Sequence, residues 1–112
     1  METHQEQVGD VTVIEVLSDY IDAGNAGDLK TLLTSLVNGG RKVVLDLSRV
    51  NFVDSSGCGA LIAALPRVRA AGGELKLCCI NPPVRTLFEI VRMQRILDLY
   101  ATRDEAVAAF AR

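Results

Sequence analysis

The sequence predicts an α/β fold in a single domain, residues 1–112, and three features predict it. Short runs rich in Val, Ile and Leu alternate along the chain with stretches whose apolar residues recur at helical spacing. The run Val43-Val44-Leu45 is apolar without alternation, as in a central strand covered on both faces or lying beside a parallel neighbour. Two glycine pairs, Gly39-Gly40 and Gly72-Gly73, close helical stretches. Strands and helices in this order build a layered fold through right-handed crossovers. A chain of 112 residues suffices for one small domain, and no repeat, linker or low-complexity segment divides it.

Gln5 to Val8 and Val11 to Leu17 flank Gly9-Asp10, a pair suited to a tight hairpin because glycine tolerates positive φ. The second of these strands is rich in β-branched residues. Ser18 to Asp22 reads as a loop. Leu29, Leu32, Leu33, Leu36 and Val37 then share one face of an amphipathic helix, weakened at its start by Gly24 and Gly27 and ended by Asn38-Gly39-Gly40. Arg41 to Leu47 is the next strand. A helix after Asp54 runs through Ala60-Leu61-Ile62-Ala63-Ala64-Leu65 towards Val68 and stops at Gly72-Gly73. Pro66 lies inside it, where a lost hydrogen bond and a clash cost roughly 3 kcal/mol, so a kink or break is expected near Ala64-Leu65. Glu74 to Ile80 reads as a strand. Asn81-Pro82 then offers a cap and a first-turn proline, and Val84, Leu87, Phe88 and Val91 give a second amphipathic helix. Ile96 to Tyr100 makes a last strand. Thr102-Arg103-Asp104-Glu105 has capping-box spacing ahead of a short helix anchored by Val107 and Phe110.

Composition removes several classes of function. Hydrophobic residues make up 49% of the chain and aromatics 4%, with no Trp, so the core is aliphatic. A net charge of −2 disfavours nucleic acid or an anionic membrane as the main partner. The polar start Met1-Glu2-Thr3-His4-Gln5-Glu6-Gln7 is no secretory leader, and no apolar run approaches the roughly 20 residues of a membrane span. Three cysteines, Cys58, Cys78 and Cys79, suit a reducing cytoplasm better than a disulfide framework. Cys78 and Cys79 are adjacent in a predicted strand, so their side chains are expected on opposite faces. With one His and no Cys-x-x-Cys, no metal site and no cofactor is expected.

The chemistry concentrates in Asn51-Phe52-Val53-Asp54-Ser55-Ser56-Gly57-Cys58-Gly59, which reads as a buried strand, a short loop and a helix N-terminus. Hydroxyls and backbone N–H groups at a helix start suit an anion such as phosphate. A serine nucleophile needs a base, yet the only histidine is His4, and the Gly-x-Ser-x-Gly elbow is absent. Gly57-Cys58-Gly59 is followed by neither a third glycine nor a phosphate-binding lysine, which removes a nucleotide loop. No catalytic residue is expected. Asp54 or Ser55 can cap the helix, for about 1 kcal/mol. A cap does not account for two glycines in the first turns, each costing about 0.5–1 kcal/mol. Something approaches the backbone there, either the domain's own sheet or a partner.

Asp54-Ser55-Ser56-Gly57-Cys58-Gly59 after a Val-rich strand resembles the signature of the anti-sigma factor antagonist family, the STAS domains. Leu17-Ser18-Asp19-Tyr20-Ile21-Asp22 is similar to that family's first conserved loop. Ala71-Gly72-Gly73-Glu74-Leu75-Lys76-Leu77 resembles its helix-to-strand passage, and Asn81-Pro82-Pro83-Val84-Arg85-Thr86-Leu87-Phe88 its next helix start. The resemblance covers roughly Val8 to Phe110. It implies a mixed sheet of four or five strands with about four helices, in a monomer or weak homodimer. It also implies a cytoplasmic regulator rather than an enzyme. Its unphosphorylated form would bind an anti-sigma factor, often one with serine kinase activity, and so free a sigma factor. The kinase would phosphorylate the serine directly after the Asp, Ser55 here, and a PP2C-type phosphatase would reverse this. Asp22, Asp54, Ser55, Ser56, Gly57 and Gly59 are the partner-binding residues so implied. A STAS module that scaffolds a stressosome-like or lipid-transport assembly without a switch is the alternative.

The chain departs from the family in two places. The loop that commonly reads Gly-Glu-Leu/Ile-Asp is Asp19-Tyr20-Ile21-Asp22 here. Asp22 keeps the final acid, either as a partner contact near the phosphosite or as a cap of the following helix. Arg92 stands where many relatives have a helix-ending glycine. Arg85, Arg92, Arg95 and Arg103 read as a solvated basic edge, and Cys58 as a small buried residue.

Overall fold

The computed structural model describes residues 1–36 and 41–111. Its main sheet has the order β1-β2-β4-β6-β7, built from β1 (Thr3–Val8), β2 (Val11–Val16), β4 (Lys42–Asp46), β6 (Glu74–Cys78) and β7 (Asp98–Tyr100). β1 pairs antiparallel with β2, and every other pair in this sheet is parallel. Four helices are found among the described residues: α1 (Ala26–Leu36), α2 (Ser55–Ala70), α3 (Pro82–Ile90) and α4 (Arg103–Ala109). The mixed five-stranded sheet and four helices agree with what the family resemblance implied. The expected end of the first helix, Asn38-Gly39-Gly40, and its apolar Val37 lie outside the described residues.

The hairpin forms as expected, with Val8 opposite Val11 and Gly9 at φ 61°. β4 sits between two parallel neighbours, which explains its unbroken apolar run: Val43, Val44 and Leu45 are all fully buried. Alternate residues serve different layers. Val43 and Leu45 join Leu29, Leu33, Leu61, Leu65 and Val68 in the larger core under α1 and α2. Val44 faces the other way, with Val11, Val13, Cys78, Ala106 and Phe110 beneath α4.

Asp46 also belongs to the α4 face and is 3% exposed. Arg103, in the first turn of α4, donates to its Oδ2 from Nε at 3.2 Å and from Nη2 at 2.7 Å. The Ser48 N–H donates to Oδ1 at 2.8 Å, and Arg103 Nη1 reaches Glu6 on β1 at 2.9 Å. One guanidinium thus ties the last helix to the central strand and to the sheet edge. Arg103 is therefore no part of a solvated basic edge. Thr102 caps α4 as its spacing predicted, its Oγ1 accepting from Glu105 N at 3.1 Å.

Several local expectations give way to tertiary contacts. The segment expected as a loop contains a short strand, β3 (Tyr20–Ile21), paired in parallel with β5 (Phe52–Val53) as a separate two-stranded sheet. Pro66 does not break α2, which runs from Ser55 to Ala70 with Leu61, Ala64, Leu65 and Val68 buried on both sides of the proline. The packing of that face outweighs the local cost. β6 ends at Cys78 rather than Ile80 because Cys79 takes φ 63°. As a result the two neighbouring thiols do not diverge: their Sγ atoms are 3.3 Å apart. Asn81 occupies the cap position of α3 without a side-chain cap bond. Its amide instead donates to Ser48 O and Val50 O, at 2.8 and 2.9 Å, and joins α3 to the loop before β5. Arg92 has φ 57°, the left-handed geometry that favours glycine at a helix end. A 3-10 turn, Met93–Arg95, follows and buries Met93, so the last strand begins at Asp98 rather than Ile96.

Burial raises the Asp46 carboxyl, but the hydrogen bonds from Arg103 and Ser48 outweigh it, and the group lies below its ordinary value. A carboxyl depressed by folding stabilises the native state above its unfolded pKa of about 3.9, and that contribution disappears as pH falls through the lower folded value. Arg103→Ala strands the buried carboxylate and is expected to cost about 3 kcal/mol at pH 7 by urea denaturation. A loss below about 1 kcal/mol would place Asp46–Arg103 among weak surface pairs.

Candidate functional site

The β3–β5 ladder positions the start of α2. Asp19 O accepts from Asn51 N at 2.8 Å and from Phe52 N at 3.3 Å, and Ile21 O accepts from Asp54 N at 3.1 Å. Tyr20 lies opposite Phe52 and Ile21 opposite Val53, so Asp22 and Asp54 follow side by side at the strand ends. Asp54 is the cap: its backbone is extended and its Oδ1 accepts from Gly57 N at 3.1 Å. Ser55 and Ser56 therefore occupy the first turn rather than capping it. Both are exposed, and neither hydroxyl hydrogen-bonds another described group.

The two glycines have different reasons. A Cβ on Gly57 would lie 2.7 Å from Val53 Cγ1, 2.9 Å from Ile21 Cγ2 and 3.1 Å from Ile21 O. The close approach at this position comes from β3 and β5, the domain's own strands. A Cβ on Gly59 would meet nothing within 4 Å, and Gly59 is exposed. Of the pair, only Gly59 leaves bare backbone on the surface. Asp22 is half-buried, and its carboxylate accepts from Gly24 N at 2.8 Å, while its carbonyl accepts from Asn25 and Ala26 N ahead of α1. Its turn-forming role is thus present, beside Asp54.

The remaining sequence candidates fall elsewhere. Cys58 is buried, and burial followed by the Asp54 charge pushes its thiol up, away from a reactive thiolate. His4 lies on β1 opposite Glu15 and bonds neither serine. Arg85, Arg92 and Arg95 are exposed.

Sequence reasoning missed the apolar surroundings of the serine. Tyr20 is 46% exposed, Phe52 55% and Ile62 39%. Along α2, Ser55, Gly59, Ile62, Ala63 and Pro66 are all exposed and recur at helical spacing, an outer stripe without charge. Three acids, Asp19, Asp22 and Asp54, lie at the serine end of this stripe, around the strand ends that position it. One signal was available. Buried Cys58, Leu61, Leu65 and Val68 mark the inner face, and Ile62 falls off it.

Comparison with known proteins fits this architecture: residues 3–106 match the family model of the STAS domain. The chain belongs to the STAS domain family. BtrV of Bordetella bronchiseptica, by name a candidate anti-sigma factor antagonist, is 35% identical over 102 residues, covering 90% of this chain and 88% of that protein. The anti-sigma-B factor antagonist of Bacillus subtilis is 30% identical over 91 residues, covering 81% of this chain and 84% of its own. Among solved structures, an anti-sigma factor antagonist from Mycobacterium paratuberculosis superposes with a TM-score of 0.86 at 27% identity, over 99% of this chain and 94% of that one. No described helix of this STAS domain is long and apolar enough to cross a membrane.

The glycines of this STAS domain separate by stability. Gly57→Ala drives a methyl into Ile21 and Val53 and is expected to destabilise by about 1–3 kcal/mol. Gly59→Ala meets no atom of the chain and is expected to stabilise by about 0.5–1 kcal/mol. Urea denaturation midpoints check both. Equal effects would mean that the β3–β5 clasp does not press on α2.

Proposed function

We propose that this protein is an anti-sigma factor antagonist. Its unphosphorylated form docks an anti-sigma factor on the surface around the N-terminus of α2, and a phosphate on Ser55 prevents docking. The exposure of Ser55 at the first position of α2, on an uncharged, partly apolar stripe next to the capping Asp54, carries this reading. The names of its relatives supply the partner class. In this reading Asp22, Asp54, Ser55, Ser56 and Gly59 contact the partner, and Gly57 lets α2 seat against β3 and β5. The protein is a binding module and not an enzyme. The anti-sigma factor is also the serine kinase, and a PP2C-type phosphatase restores the active form.

The physical chemistry of such a switch is local. Phosphorylation adds about −1.5 to −2 charge at neutral pH. The α2 N-terminus favours that charge by about 0.3–1 kcal/mol, while Asp54 and Asp22 oppose it. These contributions partly cancel, so the fold persists. Against a docked partner the same dianion is desolvated without compensation, at a cost of several kcal/mol. A loss of about 4.1 kcal/mol weakens affinity a thousandfold.

Incubation with the cognate anti-sigma kinase and ATP, read by mass spectrometry, is expected to place one phosphate on Ser55 and none on Ser55→Ala. Ser55→Asp is expected to weaken kinase binding at least tenfold with an unchanged urea midpoint. Phosphate elsewhere, or full binding by Ser55→Asp, would sink the reading. Full binding without phosphorylation would support instead a STAS scaffold that lacks a switch.

A further inference from the structure

Asp46, Cys78 and Cys79 meet at the carboxyl ends of β4 and β6, on the sheet face that α4 covers and α2 does not. Asp46 lies opposite Cys78 in the parallel register. The left-handed backbone at Cys79 turns its side chain back to the same face, which leaves the two Sγ atoms 3.3 Å apart. Residues other than glycine rarely adopt that conformation, and such positions cluster at functional sites. Donor atoms of all three side chains lie within 4.8 Å of one another. Both cysteines are free; Cys78 is fully buried and Cys79 half-buried, which opens the cluster on one side.

We propose that this cluster binds one thiophilic divalent cation of the zinc type through both sulfurs and the Asp46 carboxylate. Three donors no more than 4.8 Å apart, two of them at 3.3 Å, leave a point within about 2.6 Å of each, close to the Zn–S distance of about 2.3 Å and the Zn–O distance of about 2.0–2.2 Å. Two sulfurs select soft or borderline ions over magnesium and calcium. The charge also balances: the cation displaces two thiol protons, so the buried cluster, already neutral through the Asp46–Arg103 pair, gains no net charge. Arg103 and the Ser48 N–H hold the carboxylate from outside, as partners of metal ligands commonly do. The open side at Cys79 leaves a fourth position for water. Zinc here would lock the carboxyl ends of β4 and β6 together. The expectation against a metal rested on a single His and the absence of Cys-x-x-Cys, a sequence pattern that an adjacent cysteine pair turned to one face by a positive φ does not show.

The test uses the reduced protein and zinc alone, in competition with a chromogenic chelator. One zinc per chain is expected, undisturbed by excess magnesium, retained by Cys58→Ala and weakened at least about tenfold by Cys79→Ala. Zinc is also expected to slow alkylation of the half-exposed Cys79 in the unsubstituted chain, a reading that does not depend on whether a variant folds. Binding unaffected by Cys79→Ala, or alkylation of Cys79 unchanged by zinc, would overturn the proposal.

Discussion

The contact between β3 and β5 decides where α2 begins and what its first turn shows to solvent. Two residues from each of two loops form a parallel ladder, and the backbones of Asp19 and Ile21 accept hydrogen bonds on both sides of it. Gly57 lies under that ladder with no room for a methyl group. Because the inner side of the turn is pressed against strands, its outer side is fixed outward. Ser55, Ser56 and Gly59 are on that side. The acid cap serves the same end, since Asp54 both completes the ladder through its N–H and holds Gly57 N with its carboxylate. A serine placed this way is exposed and hydrogen-bonds no other described group, so under the proposed function a kinase can reach it and the added charge faces the docked partner.

The two faces of the main sheet do different work. Towards α1 and α2 the layer is almost wholly aliphatic, and it carries the helix that presents the serine. Towards α4 the layer is smaller and mixes apolar packing with paired charge. Arg103 joins Asp46 and Glu6, and Lys76 lies 2.9 Å from Asp98 and 4.9 Å above the Phe110 ring. Such a layer fixes the last helix by a few directional contacts, where the first layer relies on area. The paired thiols of Cys78 and Cys79 belong to this second layer, on the sheet face opposite α2.

Features carried by period or by a special residue were legible in the sequence. The apolar run at Val43-Val44-Leu45, the spacing of Leu29 and Leu33, the hairpin at Gly9-Asp10 and the cap at Thr102 each have a local cause, and each appears. Features set by distant contacts were not legible. Tyr20-Ile21 has no strand period because two residues cannot show one, and only Phe52-Val53 makes it a strand. Pro66 argues locally for a break that the buried flanks of α2 overrule. The Asn81 amide turns to carbonyls some 30 residues away in sequence rather than to its own helix. Cys79 carries no sign of its positive φ, whereas at Arg92 the family resemblance, whose pattern commonly ends this helix with glycine, gave one. At the site, Asp54 and Ser55 stood out as residue types, while the exposed Tyr20, Phe52 and Ile62 emerged only with the surface.

Amide hydrogen exchange with and without the anti-sigma partner tests the central claim most directly, because it locates docking without presupposing the phosphate. The account predicts slowed exchange over Asp19–Asp22 and Phe52–Ala63, with β1, β7 and α4 unchanged. Protection confined to β1 or α4, with the first turn of α2 exchanging as in the free protein, would contradict it.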